Sequence, residues 1–205
     1  LTADVLATAA TALAAGWIVA LRGLGGFHLV VDAACQEAVA RLRQRGVKRM
    51  VALPLYPQYS GATSGSSFKD LEATLTPSEL AELVRVEDFH DCPRYLDALA
   101  DKVREGCEAA GPGACVVFSA HSLPARMIQR GDPYQQQVEA TVAGVVSRLG
   151  LKNWHLGYQS RSGPMKWLEP DVVELVDRLL EQGQTELVLV PVSFVSDHIE
   201  TLHEI

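Results

Sequence analysis

Five short apolar runs, at residues 17–21, 50–55, 115–119, 154–158 and 187–192, are separated by segments long enough to hold helices. Neighbouring parallel strands need a crossover of a dozen or more residues, so this spacing predicts an α/β chain with mostly parallel sheet. The intervening segments carry helix signals of their own. In Thr76-Pro77-Ser78-Glu79, the threonine suits an N-cap, the proline a first turn and the glutamate a capping box. A second helix is predicted from about 170 to 181, stopping at Gly183. Gly111-Pro112-Gly113 punctuates the middle and reads as the boundary between two halves. No repeat at solenoid periods and no low-complexity tract interrupts the pattern.

Two of the runs end in chemistry. The fifth leads through Ser193 and Phe194 into Asp197, His198 and Glu200, three ionisable groups within four residues. The third is followed by Ala120-His121-Ser122-Leu123-Pro124, which hangs a histidine just beyond the strand. In open α/β sheets ligands bind outside the carboxyl ends of strands, so His121 and Glu200 are expected to face one crevice. A neutral imidazole ligates borderline cations or accepts a proton near neutral pH, and a carboxylate does the complementary proton or metal work. If the segment after Ser196 is helical, Asp197, Glu200 and Glu204 share one face. Such a row conducts cations or protons, or else it is a solvated acidic first turn complementing the helix dipole.

Bulk properties exclude other classes. With 205 residues and 48% hydrophobic content, the chain can bury a substantial core without disulfides. Its 25 acidic and 18 basic residues give a net charge of −7 and no basic stripe, which disfavours nucleic acid as a partner. Cys35, Cys92, Cys107 and Cys115 form no C-x-x-C pair, so reduced cytosolic thiols are expected rather than a disulfide framework or a zinc site. Residues 5–21 carry no charge, but they are rich in Ala and Thr and broken by Gly16. A buried helix leading into a strand fits better than a membrane span. Leu1 is neither a methionine nor the start of a basic stretch, so no signal peptide is expected and the chain reads as a fragment. His155 lies in an apolar strand-like pattern and His28 in the N-terminal segment, and neither is expected to be a ligand, whereas His90 stands among acidic neighbours in Asp88-Phe89-His90-Asp91.

Phe118-Ser-Ala-His-Ser-Leu-Pro124 and Val192-Ser-Phe-Val-Ser-Asp-His-Ile-Glu-Thr-Leu202 resemble the two signature segments of the ferrochelatases. Leu55-Tyr-Pro-Gln-Tyr-Ser60, Gly131-Asp-Pro-Tyr134 and Tyr158-Gln-Ser-Arg-Ser-Gly-Pro-Met-Lys-Trp-Leu168 are similar to three further segments of that family, in the same order. The resemblance runs from about residue 47 to 205. It implies a chelatase-like α/β fold of two Rossmann-like lobes, residues 47–110 belonging to the first and 114–205 to the second. The fold is expected to be truncated at both ends, with residues 1–46 an atypical N-terminal segment and the family's C-terminal closure missing. Implied too is a cytoplasmic enzyme, a metal-chelating lyase, that inserts ferrous iron into protoporphyrin IX or coproporphyrin III during haem synthesis. Porphyrin and iron are its partners, and peripheral membrane contact is compatible with it. Neither a redox cofactor nor an iron–sulfur cluster is expected.

Metal insertion poses three problems, because the metal must shed water, two pyrrole protons must leave and a stiff ring must open a path to its nitrogens. The resemblance carries the catalytic roles to His121 and Glu200 across the porphyrin from one another, and leaves open which takes metal and which takes protons. His121, Glu200, Asp197 and Glu204 form the implied metal set. Tyr59, Trp167 and Phe194 are candidate walls of the porphyrin slot, with core packing the alternative for each. Ser60, Thr63 and Arg161 are candidates for the propionates, Arg161 by bidentate pairing, and His198 joins the substrate set. His203 stands where the family often has tyrosine. A chelatase for cobalt or another divalent ion, or a non-catalytic fragment that binds porphyrin or metal, are the alternative readings.

The beginning of the chain points elsewhere. Residues 16–33 and the following Glu37-Ala-Val-Ala-Arg-Leu-Arg43 resemble the nucleotide-binding domain of the hydrogenase-maturation carbamoyltransferases, so either the chain is a fusion joined within the helix at about 37–45, the favoured reading, or the likeness is a short coincidence. Gly23-Leu24-Gly25-Gly26 is not G-x-G-x-x-G, and a glycine turn between two apolar runs explains it equally well. ATP is therefore not expected to bind there.

Overall fold

A computed structural model describes residues 19–23, 26–30, 36–47 and 49–195. The chain divides into two compact units, residues 1–53 with 65–86, and residues 54–64 with 87–205.

In the first unit β1 (Val19–Gly23) and β2 (Gly26–Val30) form an antiparallel hairpin whose register closes on Gly23 opposite Gly26. The first apolar run is thus half of a hairpin and not a strand of a parallel sheet. Pairing of the two flanking runs across the glycines accounts for Gly23 and Gly26. The helix expected before Val19 lies outside the described residues. Helix α1 (Gln36–Gln44) follows, and β3 (Val51–Ala52) pairs in parallel with β4 (Val84–Arg85). The run at 50–55 yields only two strand residues because Pro54 has no N–H to offer a ladder. Helices α2 (Ser64–Glu72) and α3 (Pro77–Glu82) complete this part. Val39, Leu71 and Leu75 form its small core.

The expected capping box is present at α3. Thr76 Oγ1 accepts from the Glu79 N–H, and Glu79 in turn accepts from the Thr76 N–H at 2.8 Å. Arg43 reaches across with two of its guanidinium nitrogens, Nε and Nη2, at 2.6 and 2.8 Å from the same carboxylate. These hydrogen bonds, led by that from Arg43, hold the Glu79 carboxyl down at about 2. A depressed folded-state value contributes stability above the ordinary carboxylate range and loses it as the pH falls toward about 2. Glu79→Gln is therefore expected to lower the melting temperature at pH 7, with the gap to the wild type closing as paired melts are taken from pH 5 to pH 2.

The second unit holds a three-stranded parallel sheet in the order β6-β5-β7, with β5 (Cys115–His121) between β6 (Trp154–Gln159) and β7 (Leu187–Pro191). Alternate residues of β5 feed two cores. Val116, Phe118 and Ala120 pack with helices α4 (Pro93–Ala110) and α6 (Tyr134–Leu149), through Leu96, Val103, Val138 and Val142. Cys115 and Val117 turn the other way, onto Val172, Leu175 and Leu179 of α7 (Val172–Glu181). A strand covered on both faces explains why this run reads as unbroken apolar sequence. A short helix, α5 (Ala125–Gln129), lies between β5 and α6. Gly111-Pro112-Gly113 falls within this unit, between α4 and β5.

Helix α7 begins two residues later than predicted because Asp171 caps it, accepting from the N–H groups of Val173 and Glu174. Gly183, at φ 86°, closes its end in a Schellman arrangement, with Gly183 N–H to Leu180 O and Gln184 N–H to Leu179 O. Gly157 on β6 lets α7 approach closely, since a Cβ there would stand 2.9 Å from the Val172 Cα. Gly157→Ala is expected to destabilise by about 1–3 kcal/mol, the usual range for overpacking, as read by chemical denaturation.

Candidate active site

His121 is the last residue of β5 rather than just beyond it, because pairing with Gln159 of β6 extends the strand to that point. In a parallel ladder, alternate residues of a central strand bond to opposite neighbours. Ser122 donates to Gln159 O at 2.8 Å on the β6 side, so the His121 N–H and C=O face the β7 side. There the ladder has already ended, with Val192 N–H on Ser119 O. Side chains take over. The His121 N–H donates to Ser193 Oγ at 2.9 Å, and the Tyr134 hydroxyl donates to His121 O at 2.9 Å.

Two cavities meet at this strand end. The smaller, about 150 Å³, is bounded by His121 with Gln58, Ser60, Thr63, Ser193 and Phe194. Phe194 stands edge-on to the His121 ring at 6.4 Å between centroids. The larger, about 450 Å³, is bounded by His121 with Gln159, Ser160, Arg161, Trp167 and Asp171. Of the substrate candidates, Ser60, Thr63 and Phe194 thus line one hollow and Arg161 and Trp167 the other, with His121 common to both. Tyr59 is half-buried and bounds neither; its N–H donates to Gln137 Oε1 at 2.6 Å. Glu200, Asp197, Glu204, His198 and His203 lie outside the described residues.

Several polar groups at these walls are held by hydrogen bonds. Ser60 Oγ donates to Asp132 Oδ2 at 2.9 Å, and the same oxygen accepts from the Gly61 N–H. Arg161 stands with Nε 3.3 Å from Asp171 Oδ2 and donates from Nη2 to Leu168 O, so the residue that caps α7 also orients this guanidinium. Trp167 Nε1 donates to Ser162 O at 3.0 Å. Ser119 Oγ donates to Gln159 Oε1 at 2.6 Å beneath the larger cavity. Gln58 is almost wholly buried, donating from Nε2 to Thr141 Oγ1 and Val192 O. Burial pushes the Tyr134 phenol well above its ordinary range, which keeps it a proton donor throughout physiological pH.

Outside these hollows, His90 Nδ1 lies 2.6 Å from Asp88 Oδ1, and the ligand atoms of Asp88, His90 and Asp91 lie within 4.8 Å of one another. His155 sits half-buried on β6, and His28 pairs with Leu21 in the hairpin. Cys92, Cys107 and Cys115 are free thiols, while Cys35 lies outside the described residues.

The ferrochelatase family model matches residues 30–205 of the chain. The chain belongs to the ferrochelatase family. The ferrochelatase of Geobacter metallireducens is 48% identical over 172 residues, which cover 82% of this chain and 54% of the relative. That of Geotalea daltonii is 46% identical over the same coverage, and that of Gloeobacter violaceus 45% over 177 residues, covering 83% and 54%. The chain spans about half the length of the curated relatives it matches. Because the ferrochelatase match runs from residue 30 through the helix at 37–45, the fusion expected there is unsupported, as is the carbamoyltransferase likeness of residues 16–45.

Sequence reading singled out His121 but not the groups that hold it. Ser193 and Tyr134 both lie inside segments that carry the ferrochelatase resemblance, one beside Phe194 and one ending Gly131-Asp-Pro-Tyr134. That shared membership was the available signal. Their roles depend on contacts across 72 and 13 residues of chain, which no local pattern encodes.

Proposed function

We propose that this chain carries the histidine side of a porphyrin metalation site, and that the protein inserts ferrous iron into a dicarboxylated or more highly carboxylated porphyrin in cytoplasmic haem synthesis. The observation that supports this best is the position of His121, at the end of the central strand and in the wall of two hollows lined by the substrate candidates. In this reading Fe²⁺ and the free-base porphyrin give the iron porphyrin and two protons. The His121 imidazole takes a pyrrole proton or a metal coordination position, and Phe194 and Trp167 supply apolar walls. Arg161, oriented by Asp171, meets a propionate. Glu200 acts from the opposite side of the ring, with Asp197 and Glu204 as a path for cations and His198 beside the substrate. Tyr59, Ser60 and Thr63 shape the rim.

The test is porphyrin titration followed by anaerobic addition of ferrous iron, using this chain with a full-length relative as positive control. A Soret shift on binding, then loss of the free-base spectrum at a rate proportional to protein, is expected. No Soret change with either protoporphyrin IX or coproporphyrin III would overturn the reading, and faster consumption of cobalt than of iron would reassign the metal. Among the described residues no helix is long and apolar enough to cross a membrane.

A further inference from the structure

The Gly131-Asp-Pro-Tyr134 segment is bonded to both sides of the smaller cavity. Asp132 Oδ2 holds Ser60 Oγ and the Gly61 N–H, each at 2.9 Å, and Asp132 Oδ1 accepts from the Tyr134 N–H at 3.1 Å. Two residues on, Tyr134 is buried to 5% exposure and its hydroxyl donates to His121 O. Ser193, also 5% exposed, accepts from the His121 N–H. The Ser193 and Tyr134 hydroxyls therefore hold the main-chain N–H and C=O of His121 where the β7 ladder has run out.

We propose that Tyr134 is a positioning residue that, with Ser193, fixes the main chain of His121 and so aims its imidazole between the two cavities. The proposal rests on the metalation reading for its kinetic consequence but not for its geometry. With the peptide unit before the His121 Cα gripped at its N–H and the one after it gripped at its C=O, the backbone on both sides of that Cα is fixed, so the direction of the Cα–Cβ bond is set, and with it the reach of the ring. Misplacement of a reacting group by even about 1 Å is enough to cost as much as about a hundredfold in rate. The same sheet supplies a matched control. Tyr158 on β6 is also buried, at 2% exposure, and its hydroxyl makes no hydrogen bond. Each substitution removes one hydroxyl from a buried ring, but only that of Tyr134 is hydrogen-bonded to His121.

The experiment compares Tyr134→Phe, Ser193→Ala and Tyr158→Phe in the full chain by two readouts. One is metal insertion with ferrous iron, analysed as kcat and porphyrin Kd. The other is the ring Cε1 proton resonance of His121, assigned by its disappearance in His121→Ala. Tyr134→Phe is expected to lower kcat by about tenfold or more with porphyrin Kd changed by less than about twofold, and to shift or broaden the His121 resonance. Ser193→Ala should move both readouts in the same direction, and Tyr158→Phe should move neither. Wild-type kcat and an unmoved His121 resonance in Tyr134→Phe would overturn the proposal, as would equal losses in Tyr158→Phe. If the wild type inserts no metal, the metalation reading fails while the resonance still decides the positioning role. Should Tyr134→Phe not fold, Ser193→Ala against Tyr158→Phe decides it.

Discussion

Replacing His121 by alanine is expected to bring porphyrin metalation to near background, a loss of about a hundredfold or more, while porphyrin still binds within a few-fold of wild type. The imidazole is the sole histidine side chain in the wall of either cavity among the described residues, and water is a poor substitute for it in an apolar slot. The contacts that anchor this position are made by the His121 main chain, to Ser193 Oγ and from the Tyr134 hydroxyl, so alanine retains them. Folding should therefore be spared, and binding and chemistry should come apart. Porphyrin affinity by fluorescence quenching and insertion by absorbance are the measurements. Near-normal insertion in His121→Ala would move the reactive centre elsewhere.

Glu200→Gln is expected to be similarly severe. The substitution keeps shape and hydrogen-bonding capacity but removes the basic oxygen, so a general base lost in this way lowers turnover by about a hundredfold or more. The effect should fall on kcat, with porphyrin affinity little changed, because the ring is held by its walls and propionates. Glu200→Asp, which keeps the charge on a shorter stem, should recover part of the loss if proton transfer is the role. Equal activity of Glu200→Gln and wild type under limiting iron would remove this residue from both the proton and the metal roles.

Much of the fold was legible because strands buried on both faces have no choice but to be apolar. Residues 115–121 alternate between the core of α4 and α6 and the core of α7, so neither face admits a charge before His121. The α3 helix was legible from its start, where Thr76 and Glu79 do local work that sequence spacing exposes, and α7 from its stop at Gly183. The failures have equally physical causes. An apolar run at 50–55 looks like a strand until Pro54 removes a donor, and the run at 17–21 gives no hint that its partner is antiparallel and adjacent. At the site, His121, Arg161, Trp167 and Phe194 were legible as residue types in recognisable segments. Gln58 was not, since it bonds to Val192 across 134 residues. Nor was Asp171 as the partner of Arg161, because its sequence signal is that of an ordinary helix cap.

The central place of β5 in the sheet also has a consequence for biosynthesis. This strand leaves the ribosome before either neighbour, and β7 follows roughly seventy residues later, which at about 5–20 residues per second is a wait of several seconds. During that interval Cys115-Val116-Val117-Phe118 presents two unpaired edges with high β-propensity and no charge, the composition that seeds intermolecular β-pairing. Pro112 stands three residues before it and Pro124 three residues after His121. Proline cannot extend a ladder, so these flanks act as gatekeepers that confine any premature pairing in the nascent chain to a handful of residues.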